Sequence, residues 1–138
     1  MFKKKPLVSI IMNCHNGEKY LKESIKSLMS QTYKNWELVF WDNNSFDNSK
    51  IIVKKFKDKR IKYFKSKKFH NLYHSRNLAI KKARGKYVGF LDTDDLWEKT
   101  KLQKQMKYFQ ENENIKIIYS NFFLINQLKK KKNIGYKH

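Results

Sequence analysis

The sequence predicts an α/β fold with a mainly parallel sheet and flanking helices, and two observations support that prediction. Short apolar runs, typical of parallel strands buried on both faces, recur along the chain. Segments with helical periodicity separate these runs, so strands and helices alternate. The expected strands span residues 7–12, 36–41, 61–64, 87–91 and 115–120, with an extension of the last to residue 125 left open.

Four helices are expected among these strands. The first begins at Glu18, where Asn16 is suited to cap it, and runs to about residue 30. The second ends near residue 57, the third spans about residues 72–84 and is closed by Gly85, and the fourth follows the fourth strand. We therefore predict one domain over residues 1–127 and a frayed, lysine-rich tail over residues 128–138.

The net charge of +20 over 138 residues requires an explanation. Nucleic-acid binding, attraction to an anionic membrane surface, and a compositional bias without a specific role are the three alternatives. The lysines are spread along the chain, and arginine, whose planar fork suits phosphate, occurs only as Arg60, Arg76 and Arg84. This distribution favours compositional bias and leaves some room for membrane contact.

The single cysteine, Cys14, excludes an internal disulfide and fits a reducing compartment. The apolar run after the basic N-terminus is too short for a signal peptide or a membrane span. We expect a cytoplasmic protein, with peripheral contact at the cytoplasmic face of the membrane as an open variant.

An acidic cluster, Asp92-Thr93-Asp94-Asp95, follows the fourth strand. Neighbouring carboxylates repel one another, and a divalent cation relieves that repulsion. We therefore predict that Asp92 and Asp94 bind Mg²⁺ or Mn²⁺ together with substrate phosphates. The alternative for Asp95 is structural, because Asp95 and Glu98 have the spacing of a helix capping box.

Two further candidates lie where parallel sheets bind ligands, near the carboxyl ends of the strands. Asp42 ends the second strand, where an acid commonly accepts hydrogen bonds from a ribose or a base. The alternative for Asp42 is an Asx turn with Asn43 and Asn44. Arg76 is predicted on the helical face turned to the sheet, where a cation needs an anionic partner, either a substrate phosphate or an aspartate of the same chain.

Cysteine and histidine chemistry has less support from the sequence. Cys14 and His15 are adjacent in sequence, which does not by itself make a catalytic dyad. His70 and His74 have the helical spacing of two metal ligands, but a third ligand for zinc is missing.

The order and spacing of these residues resemble a known family. The segments PLVSIIMNCHNGEKYLKESIKSLMSQTYKNWELVFWDNNSFDNS and YHSRNLAIKKARGKYVGFLDTDDLWEKTKLQKQ are similar to the N-terminal half of glycosyltransferase family 2. The similarity spans about residues 6–127. It implies a single GT-A-like (Rossmann-like) domain that binds a nucleotide-diphosphate sugar.

The resemblance also implies roles for the candidate residues. Asp92 and Asp94 would form a DxD motif that holds Mn²⁺ or Mg²⁺ on the donor diphosphate, and the metal would stabilise the leaving diphosphate. The residues that would contact the nucleotide or its phosphates are Asn13, His15, Asp42, Arg76, Asp92 and Asp95.

Two segments depart from the family pattern. Cys14-His15-Asn16 stands where the family usually has a Thr-Tyr-Asn-like triplet. Asp42-Asn43-Asn44-Ser45 stands where the family usually has two acids followed by Gly-Ser.

Family members also continue into an acceptor-binding half that carries the general base. None of Glu98, Glu111 and Glu113 fits that role. We therefore expect a truncated chain that contains the donor half, with an unknown catalytic base and little or no turnover alone.

The expected partners are a UDP- or other nucleotide-diphosphate sugar and a glycan or lipid-linked acceptor, without specific nucleic acid. The rival hypothesis is a basic module that binds nucleic acid or an anionic membrane without catalysis. It predicts salt-sensitive binding that Asp94→Ala does not affect.

Overall fold

Four parallel strands form the main sheet of the protein. The computed structural model describes residues 5–125 and the backbone of residues 131–134. The strands of this sheet are β1 (Val8–Cys14), β2 (Trp36–Asp42), β3 (Ile61–Lys65) and β4 (Tyr87–Phe90), in the spatial order β3-β2-β1-β4. Every neighbouring pair is parallel, which confirms the predicted fold class.

The two central strands, β1 and β2, are buried along almost their whole length, as their continuous apolar runs indicated. The helices are α1 (Glu18–Met29), α2 (Ser49–Lys55), α3 (Leu72–Ile80) and α4 (Lys101–Glu111). The predicted apolar stripe of α1 is confirmed, because Leu21, Ile25 and Leu28 are fully buried. On one face of the sheet, Ala79 of α3 packs with Ile11, Val39 and Trp41.

The end of α3 differs from the prediction. The helix ends at Ile80, and Gly85 neither closes it nor adopts a left-handed conformation. Gly85 lies instead against β1, where its backbone nitrogen donates to Ser9 Oγ at 2.8 Å. A Cβ at Gly85 would lie 2.6 Å from the backbone nitrogen of Ser9, so close approach of two chain segments explains this glycine.

The start of α1 also differs from the prediction. The N-cap position is Gly17, which has no side chain with which to cap the helix. Asn16 adopts a left-handed conformation with φ 55°, and its Oδ1 accepts a hydrogen bond from the backbone nitrogen of Phe46 at 3.0 Å. Asn16 therefore joins the loops after β1 and β2 and does not cap α1.

The chain divides into two compact units, Met1–Gln103 and Lys104–His138. In the second unit, residues 115–120 form no strand, so that part of the prediction is wrong, whereas the extension toward residue 125 that was left open contains the strand. The strand is β5 (Phe122–Ile125), and it pairs antiparallel with β6 (Lys131–Ile134). An apolar run alone does not specify which of its residues pair with a neighbouring strand.

The sequence analysis did not predict β6, which lies within the segment expected to be a frayed tail. The rest of that segment, residues 128–130 and 135–138, lies outside the described residues. No helix in the described ranges is both long and apolar enough to cross a bilayer.

Candidate functional site

Three polar loops follow the carboxyl ends of β1, β2 and β4 at one edge of the main sheet. The first two are joined by hydrogen bonds. Asn43 N donates to the carbonyl oxygen of Cys14 at 2.7 Å, and Asn16 N donates to Ser45 Oγ at 3.0 Å. The third loop carries the acidic cluster. This is the edge at which open α/β sheets bind their ligands.

The acidic cluster directly continues the register of β4. Leu91 N donates to the carbonyl oxygen of Ile11 at 3.1 Å, and a turn then forms in which Asp95 N donates to the carbonyl oxygen of Asp92 at 3.2 Å. Helix α4 begins only at Lys101, so Asp95 and Glu98 do not form a capping box. The structural alternative for Asp95 is therefore not supported.

The three carboxylates of the cluster repel one another. Burial, followed by the charges of Asp92 and Asp94, raises the pKa of Asp95 above its ordinary value. Asp94 is exposed, and the Asp92 side chain is 52% exposed. Clustered negative charge that solvent can reach, only part of which is offset by Arg76, is the environment a divalent cation favours.

The side chains of the acidic cluster fit a metal ion whose other ligands come from a substrate. Across residues 5–125, no group of three or more His, Cys, Asp or Glu side chains is arranged to hold a metal ion. Asp92 and Asp94 carry carboxylate oxygens, which Mg²⁺ and Mn²⁺ prefer. The remaining ligands of such an ion would be substrate phosphate oxygens and water.

Arg76 lies at the same edge of the sheet. Its Nη2 donates to Asp92 Oδ1 at 2.8 Å, and its guanidinium lies 5.4 Å from the ring centre of Phe90. Arg76 is 31% exposed, so it sits at the margin of the helix face that packs on the sheet. The internal ion pair expected as one alternative is present, and the guanidinium remains accessible to an added anion.

Polar residues of α1 and of the turn that follows it hold the segment that contains the acidic cluster. Ser24 Oγ donates to the carbonyl oxygen of Asp92 at 3.0 Å. Gln31 is fully buried, and its side chain donates to the carbonyl oxygen of Glu98 at 2.8 Å and accepts from Leu102 N at 3.0 Å. The sequence analysis missed both residues. Their polarity on the buried stripe of α1 was the signal that could have indicated them.

Asp42 points into the protein. Its side chain is fully buried, Oδ1 accepts from Ser45 N at 2.7 Å, and Oδ2 accepts from the Tyr63 hydroxyl. Burial, together with the hydrogen bond and charge of Asp42, raises the pKa of Tyr63. Asp42 therefore holds the loop after β2. Its hydrogen bond from Ser45 N resembles the Asx turn given as the alternative for this residue. Contact with a ribose or a base stays a prediction and would require these hydrogen bonds to open.

Asn43 connects the loop before α3 to the site, which the sequence analysis missed. Its Nδ2 donates to the carbonyl oxygen of His70 at 2.7 Å, and its Oδ1 accepts from His70 N at 3.0 Å. The rings of His70 and His74 stack with centroids 4.4 Å apart. In the part of the chain that the structure describes, this pair belongs to no group of three or more potential metal ligands.

Three aromatic rings form a group that we call the aromatic rim: His15, Phe46 and Phe69. The centroid of the exposed His15 ring lies 5.9 Å from that of Phe46 and 4.6 Å from that of Phe69, both edge-to-face. Phe46 is 86% and Phe69 57% exposed. His15 Nδ1 lies 3.0 Å from the carbonyl oxygen of Asn43, and because a carbonyl only accepts, Nδ1 carries the proton. Only His15 of this rim was predicted as a site residue.

Cys14 does not pair with His15. Its Sγ donates to Ser49 Oγ at 3.4 Å, and burial raises the pKa of the thiol despite that hydrogen bond. A buried thiol with a raised pKa is a poor nucleophile.

Asn13 has unused hydrogen-bonding capacity near the end of β1. Its Oδ1 and Nδ2 are both shielded from solvent, and neither has a hydrogen-bond partner among the described residues. Buried side-chain amides nearly always have partners. Contact between Asn13 and a nucleotide stays a prediction.

The sequence profile of glycosyl transferase family 2 matches residues 9–134. The chain belongs to this family. It is 42% identical over 120 residues to the Escherichia coli UDP-Glc:alpha-D-GlcNAc-diphosphoundecaprenol beta-1,3-glucosyltransferase WfgD, covering 87% of this chain and 47% of that protein. It is 39% identical over 118 residues to the E. coli enzyme WfaP of the same description, covering 86% and 47%. The chain thus spans about half the length of these curated relatives.

Solved structures show the same fold. S. aureus TarS 1-349 in complex with UDP matches with a TM-score of 0.73 and 31% identity over 77% of this chain and 32% of that chain. The mannosyltransferase PcManGT from Pyrobaculum calidifontis, in complex with GDP-Man and Mn²⁺, matches with a TM-score of 0.72. It is 23% identical over 78% of this chain and 33% of that chain, which shows the fold alone. The family 2 chain therefore has the GT-A glycosyltransferase fold that the resemblance implied.

Proposed function

We propose that this chain is the donor-binding part of a glycosyltransferase that transfers a sugar from a nucleotide diphosphate with the help of a divalent cation. The observation that carries the proposal is the acidic cluster itself. Three mutually repelling carboxylates, Asp92, Asp94 and Asp95, lie at the ligand-binding edge of the sheet, and all three residues are exposed.

The donor diphosphate would lie at the acidic cluster. A Mg²⁺ or Mn²⁺ ion held by Asp92 and Asp94 would neutralise charge on the leaving diphosphate. Arg76, which now pairs with Asp92, would gain a second anionic partner in a phosphate oxygen. Asp95 would stay beside the metal without binding it.

The nucleotide base would lie at the aromatic rim. Exposed aromatic faces bind bases by stacking, and each stacked base contributes about 1–3 kcal/mol. Phe46 and Phe69 flank His15 on the solvent side, where a planar ligand has access to all three rings. Asn13 would complete the nucleotide pocket by offering its unpaired amide.

We propose a UDP-sugar as the donor and a glycan or lipid-linked acceptor. The name of WfgD specifies UDP-Glc and an acceptor linked to diphosphoundecaprenol, and TarS is solved with UDP, which supports this choice of substrate class. The protein would act in glycan or polysaccharide synthesis in the cytoplasm, with peripheral contact at the membrane face. We assign no general base among the described residues, so turnover is expected only when a base is supplied from elsewhere.

Isothermal titration calorimetry with UDP-sugars tests the proposal in MnCl₂ and again in EDTA. We expect binding only with the metal. Asp94→Asn should weaken it at least about 10-fold, because even residues that merely support metal ligands contribute that much. Glu113→Gln, which removes one exposed carboxylate outside the site, is the matched control and should bind normally. Absence of metal-dependent binding by any nucleotide-diphosphate sugar would refute the proposal.

A further inference from the structure

A cleft of about 400 Å³ lies on the surface formed by α1 and α2, away from the loops of the donor site. Its lining combines two cations with two apolar side chains. The lining residues are Lys22 of α1, Ile52 and Lys55 of α2, and Phe56 at the end of α2. Neither the acidic cluster nor the aromatic rim contributes to it.

The surface around the cleft is strongly basic. The exposed lysines of the two helices are Lys19, Lys22, Lys26, Lys50, Lys54 and Lys55. Two acids at the start of the helices are engaged locally. Glu18 Oε2 accepts from the backbone and side-chain nitrogens of Asn48, and Asp47 accepts from the backbone nitrogens of Glu18 and Ser49. A third acid, Glu23 of α1, is exposed, so the two helices and their starts carry six lysines against three acids.

Apolar side chains accompany the lysines. Ile52 and Phe56 are partly exposed in the cleft, and the neighbouring Ile51 is 55% exposed. An apolar floor between ammonium groups suits a ligand with a phosphate and an adjoining apolar part. Phospholipids in an anionic bilayer have this chemistry, and basic side chains near such a surface are attracted to it.

We propose that the α1–α2 cleft binds anionic phospholipid headgroups and so holds this face of the protein against an anionic bilayer. Lysine is adequate for this role, because a membrane surface attracts point charges and requires no bidentate geometry. A nucleic acid is the less suitable occupant, since base stacking needs exposed aromatic faces, and Phe56 is partly buried. The proposal does not depend on donor binding, because the two sites share no residue.

Vesicle flotation tests the proposal with the full chain. Phosphatidylcholine vesicles with and without phosphatidylglycerol are compared at fixed salt. We expect binding only to the anionic vesicles. The variant Lys22→Gln/Lys55→Gln should lower the partition coefficient about 25-fold, given about fivefold for each lysine at the surface.

The pair Lys81→Gln/Lys104→Gln is the matched control, because it removes the same charge from exposed positions outside the cleft. It should lower binding no more than about twofold if the cleft is the site. Equal losses in the two variants would overturn the proposal, as would equal binding to neutral vesicles. Tighter binding of wild type to a single-stranded oligonucleotide, weakened only by the cleft variant, would identify a nucleic-acid surface instead. A circular dichroism melt of each variant separates these results from unfolding.

Discussion

Gln31 offers a sharp test of how α1 supports the acidic loop. The residue is fully buried, and its amide hydrogen-bonds the backbone on both sides of the start of α4, at Glu98 and Leu102. The substitution Gln31→Leu keeps nearly the same volume. It removes these two hydrogen bonds without opening a cavity, together with a third from Gln31 Nε2 to the carbonyl oxygen of Ser27, which keeps the Ser30 hydroxyl as a partner.

The expected loss follows from the two backbone groups left behind. Each buried group without a partner lowers the free energy of unfolding by about 1–3 kcal/mol, so the two groups together lower it by about 2–6 kcal/mol. The Asp92–Asp95 turn lies just before this segment. Metal-dependent donor binding should therefore weaken in the variant under conditions where it remains folded.

Urea denaturation and calorimetry measure these two effects. Ser30→Ala is the matched control at the end of α1, because Ser30 is exposed and its hydroxyl donates only to the carbonyl oxygen of Ser27. We expect a change below about 0.5 kcal/mol for the control. A loss for Gln31→Leu no larger than that of Ser30→Ala would refute the reasoning.

Two further predictions concern stability. Burial opposes ionisation of Glu37, but hydrogen bonds from Ser9 and Arg84 outweigh it and lower the pKa of Glu37 below its ordinary 4.5. The ionised Glu37 side chain therefore stabilises the fold above pH 4.5, and this contribution is lost as pH falls through its folded-state pKa. In urea denaturation at a series of acidic pH values, the free energy of unfolding of Glu37→Gln should fall less steeply with decreasing pH than that of wild type. Gly85→Ala should lower the free energy of unfolding by at least about 2 kcal/mol, because its Cβ would meet rigid backbone. Gly89→Ala meets only side-chain atoms at 3.2–3.3 Å, and an equal thermal shift in both alanine variants would contradict this account.

Local sequence patterns were sufficient to predict most elements of the main sheet. The strands β1 and β2 are buried on both faces and therefore appear as continuous apolar runs. Helix α1 is buried on one face and therefore has apolar residues at helical spacing. The strand predicted over residues 115–120 is wrong, since β5 depends on pairing with Lys131–Ile134. Gly85 was predicted to close the third helix. The glycine is instead explained by its close approach to Ser9, which only the fold creates.

The sequence by itself determined where the acidic cluster would lie. Asp92, Asp94 and Asp95 follow an apolar strand, and the carboxyl end of a parallel strand is a ligand-binding edge whatever the rest of the chain does.

Only the tertiary structure decided which polar groups have partners within the fold and which do not. Asp42 is buried against Tyr63, Asn43 pairs with the backbone of His70, and Asn13 keeps an unpaired amide. The physical reason is that a polar side chain takes whichever partner folding places within hydrogen-bond distance. Those partners lie far away in sequence and leave no local pattern.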